Sequence, residues 1–188
     1  MKKLNLGTVV LMIFIVGYTS AITFAYDYDG KRWSNAQAEW RFSTDFPSGY
    51  KTAVKNAADT WSNAGSAFNF DYDWYELYNK VDWEDLGSDG PLALTYLWYS
   101  GTPSYSCGTG ASLTRVVTYF NNQYEWTTSP DESYPPYDVE TVALHEFGHW
   151  LVLDDVYSSG PVMYIYYDGT QRSLTQDDID GIICIYGS

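Results

Sequence analysis

The chain has 188 residues, with 24 acidic against 10 basic side chains and a formal net charge of −14. That balance opposes binding to nucleic acid or to an anionic membrane surface, since both need cationic patches. Tyr and Trp are abundant, at 19 and 8 residues, and suit either the sheet and core of an exported domain or a sugar-binding surface.

Residues 1–25 read as a secretory signal. Lys2 and Lys3 open it, an apolar run over residues 6–16 follows that is too short to span a bilayer comfortably, and Thr23 and Ala25 suit cleavage after Ala25. Ala21 is a second cleavage candidate, and an uncleaved anchor is the alternative. The mature part, residues 26–188, is expected to be one secreted, extracellular domain, monomeric and free of the membrane once the signal is gone. The signal holds two Lys and no acid, so the remaining 163 residues carry 8 basic and 24 acidic side chains, a net charge of −16. Those carboxylates could supply calcium (Ca2+) ligands, although no segment has the spacing of a calcium-binding loop.

Along the mature part, residues 39–44 alternate as a strand does. Over residues 48–65, Tyr50, Ala53, Val54, Ala57, Ala58, Trp61 and Ala64 recur at helical spacing, with Ser48 placed to cap the start and Gly65 to end it. Residues 67–72, 92–99 and 112–121 are rich in β-branched and aromatic types and read as further strands, joined by Asp-, Gly-, Ser- and Pro-rich connections at 87–91 and 101–110. A second helix begins near Asp138, a good N-cap placed after Pro135 and Pro136. A third spans residues 175–186, with Ile179, Ile182, Ile183 and Tyr186 on one side. Three helices around one mixed sheet make an α+β domain. Cys107 and Cys184 are expected to pair in an exported chain, tying a mid-chain loop to the last helix; two buried free thiols are the alternative.

Both histidines of the chain, His145 and His149, lie in the second helix, in the run His145-Glu146-Phe147-Gly148-His149. Residues four apart share a helix face, so the two imidazoles can grip one tetrahedral ion, and Glu146 sits where it can take a proton from water held on that ion. A catalytic zinc usually keeps three protein ligands, so this HExxH pattern needs one more donor. No Glu and no third His follows Glu146, which leaves Asp154, Asp155, Asp168, Asp177, Asp178 and Asp180, with tyrosine hydroxyls as weaker donors.

At this point the chain resembles the metzincins, and among them the matrixins, whose extended motif is HExxHxxGxxH. His145, Glu146 and His149 match it, and the third histidine's place is taken by Asp155, as in small secreted bacterial variants; the resemblance thus implies His145, His149 and Asp155 as metal ligands and Glu146 as the catalytic base. Val162-Met163-Tyr164 looks like the family's Met-turn, the run from Leu174 to Ile182 like the opening of its final helix, and Arg115 to Trp126 like its substrate-receiving edge strand. No cysteine precedes the domain to block a zinc, so a cysteine switch is not expected. The motif's Gly falls at Val152. Since a β-branched residue with φ > 0 costs about 1–2 kcal/mol, either the helix ends by another route or the site is strained.

The resemblance implies a metzincin-like catalytic domain: a mixed twisted sheet with a zinc-binding helix, a long N-terminal helix and a C-terminal helix. It implies a secreted zinc-dependent endopeptidase (a hydrolase with one catalytic Zn2+) acting on polypeptide laid along residues 112–121, with Tyr164, Tyr166 and Tyr167 as candidate pocket walls. Two other classes stay open: a catalytically inactive metzincin-like secreted binding protein, motivated by Val152 and the missing third His, and an aromatic-rich carbohydrate-binding module in which the HExxH is incidental.

Overall fold

A computed structural model of the chain describes residues 26–129 and 133–188. The expected signal, residues 1–25, lies outside the described residues. Two short strands come first, β1 (Asp27–Tyr28) and β2 (Lys31–Arg32), then β3 (Gln37–Phe42), whose two-residue period buries Ala38, Trp40 and Phe42. A single 3-10 turn at Ser48–Tyr50 leads into α1 (Lys51–Ser62), which buries Ala53, Val54, Ala57, Ala58 and Trp61 on one stripe. Ser48 does not cap this helix: the 3-10 turn intervenes, and neither Pro47 nor Tyr50, which hold the cap positions, makes a side-chain cap bond.

The strands β4 (Asn69–Tyr72), β5 (Lys80–Glu84), β6 (Ala93–Ser100) and β7 (Ala111–Asn121) follow. After the two-residue strands β8 (Trp126–Thr127) and β9 (Tyr137–Asp138) come α2 (Val139–Trp150), β10 (Leu153–Asp154) and α3 (Gln176–Tyr186). The main sheet runs β2, β7, β5, β3, β4 with every pair parallel, and β6 joins the other side of β7 antiparallel. Its α+β architecture, a main mixed sheet and three α-helices, is the one expected, with two two-stranded sheets, β1–β10 and β8–β9, beside it.

A second expectation, the edge strand, is overturned. Residues 112–121 do not form the open edge, because β7 is paired on one side to β6 from Ser112 to Phe120 and on the other to β2 and β5. Its main-chain groups are therefore already used. The edge is β6, which pairs with no strand but β7 among the described residues.

Aromatic residues knit the layers together. Phe147 of α2 sits 5.1 Å from Trp40 and 4.8 Å from Phe70, ring centre to ring centre, and the Trp61 indole N–H of α1 donates to the Leu144 carbonyl at 2.8 Å. Trp33, Trp40, Trp61, Trp126 and Trp150 are all buried, so most of the tryptophan wealth is core rather than a display surface. On α3 the buried hydrophobic side chains are Ile182, Ile185 and Tyr186, with Ile179 and Ile183 half-buried, so the helix is turned slightly from the expected face. Thr175 caps it through a reciprocal bond pair with Asp178. Cys107 and Cys184 form a disulfide with Cα atoms 5.4 Å apart, closing a 77-residue separation between the 101–110 connection and α3.

Candidate metal centre

The start of α2 is held firmly. Asp138, 1 % exposed, accepts from the Thr141 amide at 3.0 Å and its hydroxyl at 2.7 Å, and from Arg172 through Nε at 3.0 Å and Nη2 at 2.5 Å. Burial alone would raise the Asp138 carboxyl, but Arg172 and Thr141 outweigh it and hold it below the usual carboxylate range. The Asp138 amide donates to the Tyr167 hydroxyl at 3.1 Å, and the Gln171 amide to the Thr141 hydroxyl at 2.9 Å. These bonds anchor the segment after Met163 to the mouth of the helix.

Further along α2 the two imidazoles stand 4.8 Å apart, ring centre to ring centre. His145 Nδ1 is 2.9 Å from the Val162 carbonyl oxygen and His149 Nδ1 is 2.9 Å from that of Leu153. A carbonyl only accepts, so each Nδ1 carries the proton and each Nε2 presents a lone pair. Asp155 Oδ1 lies 3.2 Å from His145 Nε2 and 3.7 Å from His149 Nε2, against roughly 3.3 Å between donors on a tetrahedral zinc with bonds of about 2.0–2.1 Å. That oxygen is buried and makes no hydrogen bond. Three acceptor atoms, all within 4.8 Å of one another, thus face a common point with no proton between them. Such a cluster repels itself unless a proton or a metal cation sits there.

Acid–base shifts report the same field. Burial opposes protonation of His145, yet the Asp155 and Glu146 carboxylates and the Val162 carbonyl raise its pKa overall. Contact with His145 holds the Asp155 carboxyl below its usual range against the effect of burial, with His149 adding to it. Among the described residues, His145, His149 and Asp155 form the one cluster of three His, Cys, Asp or Glu side chains close enough to share a metal ion.

Asp155 reaches this point because the chain turns sharply after α2. Leu151 ends the helix and Val152 takes φ 64°, the left-handed turn that glycine favours, so the strained alternative is the one adopted. Val152 is fully buried, and burying it is worth about 1.5–3 kcal/mol, enough to offset an αL cost of about 1–2 kcal/mol. Its carbonyl accepts from the Asp29 amide at 3.1 Å, and β10 then pairs antiparallel with β1, Tyr28 opposite Leu153. The segment just after the expected cleavage point therefore fixes the strand that delivers Asp155.

The other candidates, Asp154, Asp168, Asp177, Asp178 and Asp180, do not join this group. Asp154 is exposed and accepts from the Asp155 amide at 2.9 Å, Asp168 is exposed, Asp178 is buried against the Val162 and Thr175 amides, and Asp180 accepts from Gln176. Glu146 is 6 % exposed, next in the chain to His145, and accepts from the Thr95 hydroxyl.

Met163 is buried against Gly148. A Cβ at Gly148 would lie 2.1 Å from Met163 Sδ and 3.3 Å from Trp61 Cζ2, so only glycine admits the methionine. Gly148→Ala would gain about 1 kcal/mol in helix propensity and lose about 1–3 kcal/mol to overpacking. With both neighbours buried the clash dominates, and thermal unfolding is expected to show a midpoint about 2–8 °C lower. An unchanged midpoint would mean that Met163 has room to move.

Around the cluster runs a cleft of about 630 Å³, bounded by β6 at Ala93 to Thr95, by Val142 of α2, and by Tyr164, Tyr166 and Tyr167. Sequence reasoning missed the carbonyls of Leu153 and Val162, which orient the imidazoles, and Thr95, which touches Glu146. A backbone acceptor leaves no trace in residue identity.

The matrixin family model matches residues 106–187. Human neutrophil collagenase is 31 % identical over 144 residues, covering 72 % of this chain and 28 % of that protein. Horse interstitial collagenase is 29 % identical, covering 91 % and 36 %, and soybean metalloendoproteinase 1 is 27 % identical, covering 91 % and 57 %. The chain thus spans between about a quarter and somewhat over half the length of these curated relatives. These matches and the α+β fold make the chain matrixin-like, with the family likeness shown over residues 106–187.

Proposed function

We propose that this chain is a secreted zinc endopeptidase, with His145, His149 and Asp155 as metal ligands and Glu146 as general base. The observation that carries the reading is the convergence of two Nε2 lone pairs on a buried Asp155 oxygen that has no hydrogen bond. Bound there, zinc would supply Lewis acidity, polarising a carbonyl and acidifying water.

The chain's own groups would do the rest. The Val162 and Leu153 carbonyls keep both rings in the tautomer that leaves Nε2 free. Glu146 would accept the proton of the attacking water and pass it to the leaving amine. A substrate would lie extended against β6, whose outer edge offers main-chain donors and acceptors for β-addition. Tyr164, Tyr166 and Tyr167, which line the cleft, would bound a side-chain pocket. The relatives' names, two collagenases and a metalloendoproteinase, support a polypeptide substrate.

Zinc stoichiometry measured alongside hydrolysis of casein or gelatin tests the reading. One zinc per chain is expected, with hydrolysis abolished by a chelator and restored by added zinc. A folded, zinc-loaded protein that cleaves nothing in a broad peptide library would instead be a binding protein. A chain purified without chelator that carries no metal would leave the HExxH incidental.

A further inference from the structure

Glu146 and Trp150 are four residues apart on α2, so they share the helix face beside the one that carries His145 and His149. Both side chains meet the sheet at the same rung, where Thr95 of β6 stands opposite Thr118 of β7. Thr95 Oγ1 donates to Glu146 Oε2 at 2.6 Å, the two threonine hydroxyls are 2.6 Å apart, and the Trp150 indole N–H donates to Thr118 Oγ1 at 2.8 Å. Thr118 and Trp150 are buried, Thr95 half-buried.

The direction of this chain of bonds is dictated by chemistry. An indole N–H can only donate, and an ionised carboxylate can only accept. Each hydroxyl has one proton, so Thr118, which accepts from Trp150, gives its proton to Thr95, and Thr95 gives its own to Glu146. The four groups form a closed staple from α2 through β7 and β6 and back to α2.

We propose that Thr95 is a positioning residue for Glu146, aimed by Thr118 and Trp150. This rests on the reading of Glu146 as the base. A glutamate has three rotatable bonds and acts only when held within hydrogen-bond reach of the proton it takes. The staple removes that freedom by fixing Oε2, which leaves Oε1 as the oxygen that faces the water. Because aligned hydroxyls polarise one another, the Trp150 indole at the far end senses whether Thr95 still donates. Position 95 also lies on β6, so the strand proposed to receive substrate carries the group that sets the base.

Thr95→Val tests this, since valine keeps the shape and removes the hydroxyl. It is expected to lower kcat about ten- to a hundredfold, the cost of a base displaced by about an ångström. KM and zinc content should stay close to those of the wild type, while the unfolding midpoint should fall by a few degrees, because the buried Thr118 hydroxyl loses its acceptor. Thr95→Ser, which restores a hydroxyl at the same rung, should recover most of kcat. A second readout needs no activity: the Trp150 indole N–H resonance of the purified protein should move upfield in Thr95→Val and return in Thr95→Ser.

An active wild type whose Thr95→Val variant keeps its kcat would overturn the positioning role and leave the peptidase reading intact. A wild type that cleaves nothing would end the peptidase reading, and the staple would then be judged on the resonance. An indole signal unchanged in Thr95→Val overturns it in either case.

Discussion

Glu146→Ala is expected to lower kcat by about 10²–10⁴-fold, the range typical of a removed general base, with zinc content and fold retained. Glu146 is buried beside the cleft, in the chain next to His145, and is absent from the group of three donor atoms that could hold the ion. Its loss should therefore spare metal binding. It leaves the Thr95 hydroxyl without its acceptor, which is a small cost for a half-buried group that the opened cleft can hydrate. Glu146→Gln refines the experiment. An amide oxygen can still accept from Thr95, so the side chain stays placed, but it cannot take a proton. A loss as large as that of Glu146→Ala would assign the effect to proton transfer rather than to shape. Full peptidase turnover in either zinc-loaded variant would remove Glu146 from the mechanism.

How much of this was legible in the residues depends on how local each determinant is. The two imidazoles and Glu146 are set by helical periodicity alone, and Asp138 caps their helix as its side chain and the preceding prolines indicate. Position 155 was legible only through resemblance, because a buried valine with φ 64° is not something valine's own preferences suggest. What holds it there is tertiary: the burial of Val152 and the pairing of β10 with β1, a partner more than a hundred residues away in the chain. The misplaced edge strand has a similar origin. Which strand lies outermost is a property of the pairing, and residues 112–121 read as β-structure wherever they sit. A signal was nonetheless present, since Val116, Val117 and Thr118 are consecutive and all buried, a run typical of an interior strand, while Leu94, Tyr96 and Trp98 alternate outward from the edge. β5 was missed because Lys80, Asp82 and Glu84 make a short strand look like a charged loop, although Lys80 and Asp82 neutralise each other within it.

The second large effect concerns Asp155. Asp155→Ala should weaken zinc binding by well over a hundredfold, because losing even an outer-shell partner of a ligand costs about 10–100-fold. Its distinguishing mark lies in the metal-free protein. Without an ion, Asp155 Oδ1 is a buried acceptor with no hydrogen bond beside two imidazole Nε2 atoms, so it adds little to the fold. Removing it should leave the unfolding midpoint in chelator unchanged or slightly higher. With zinc at about a thousand times the wild-type Kd, binding stabilises the native state by about 4 kcal/mol. That should lift the wild-type midpoint by about 8–16 °C and leave the variant almost still. A structural carboxylate would behave in the opposite way, destabilising the chelated protein when lost and leaving the zinc-induced rise intact. Asp154→Ala is the control, since its side chain is exposed and bonds only to the next amide. If Asp154→Ala loses the metal and Asp155→Ala keeps it, the third ligand is the neighbouring aspartate and the turn at Val152 must open to bring it in.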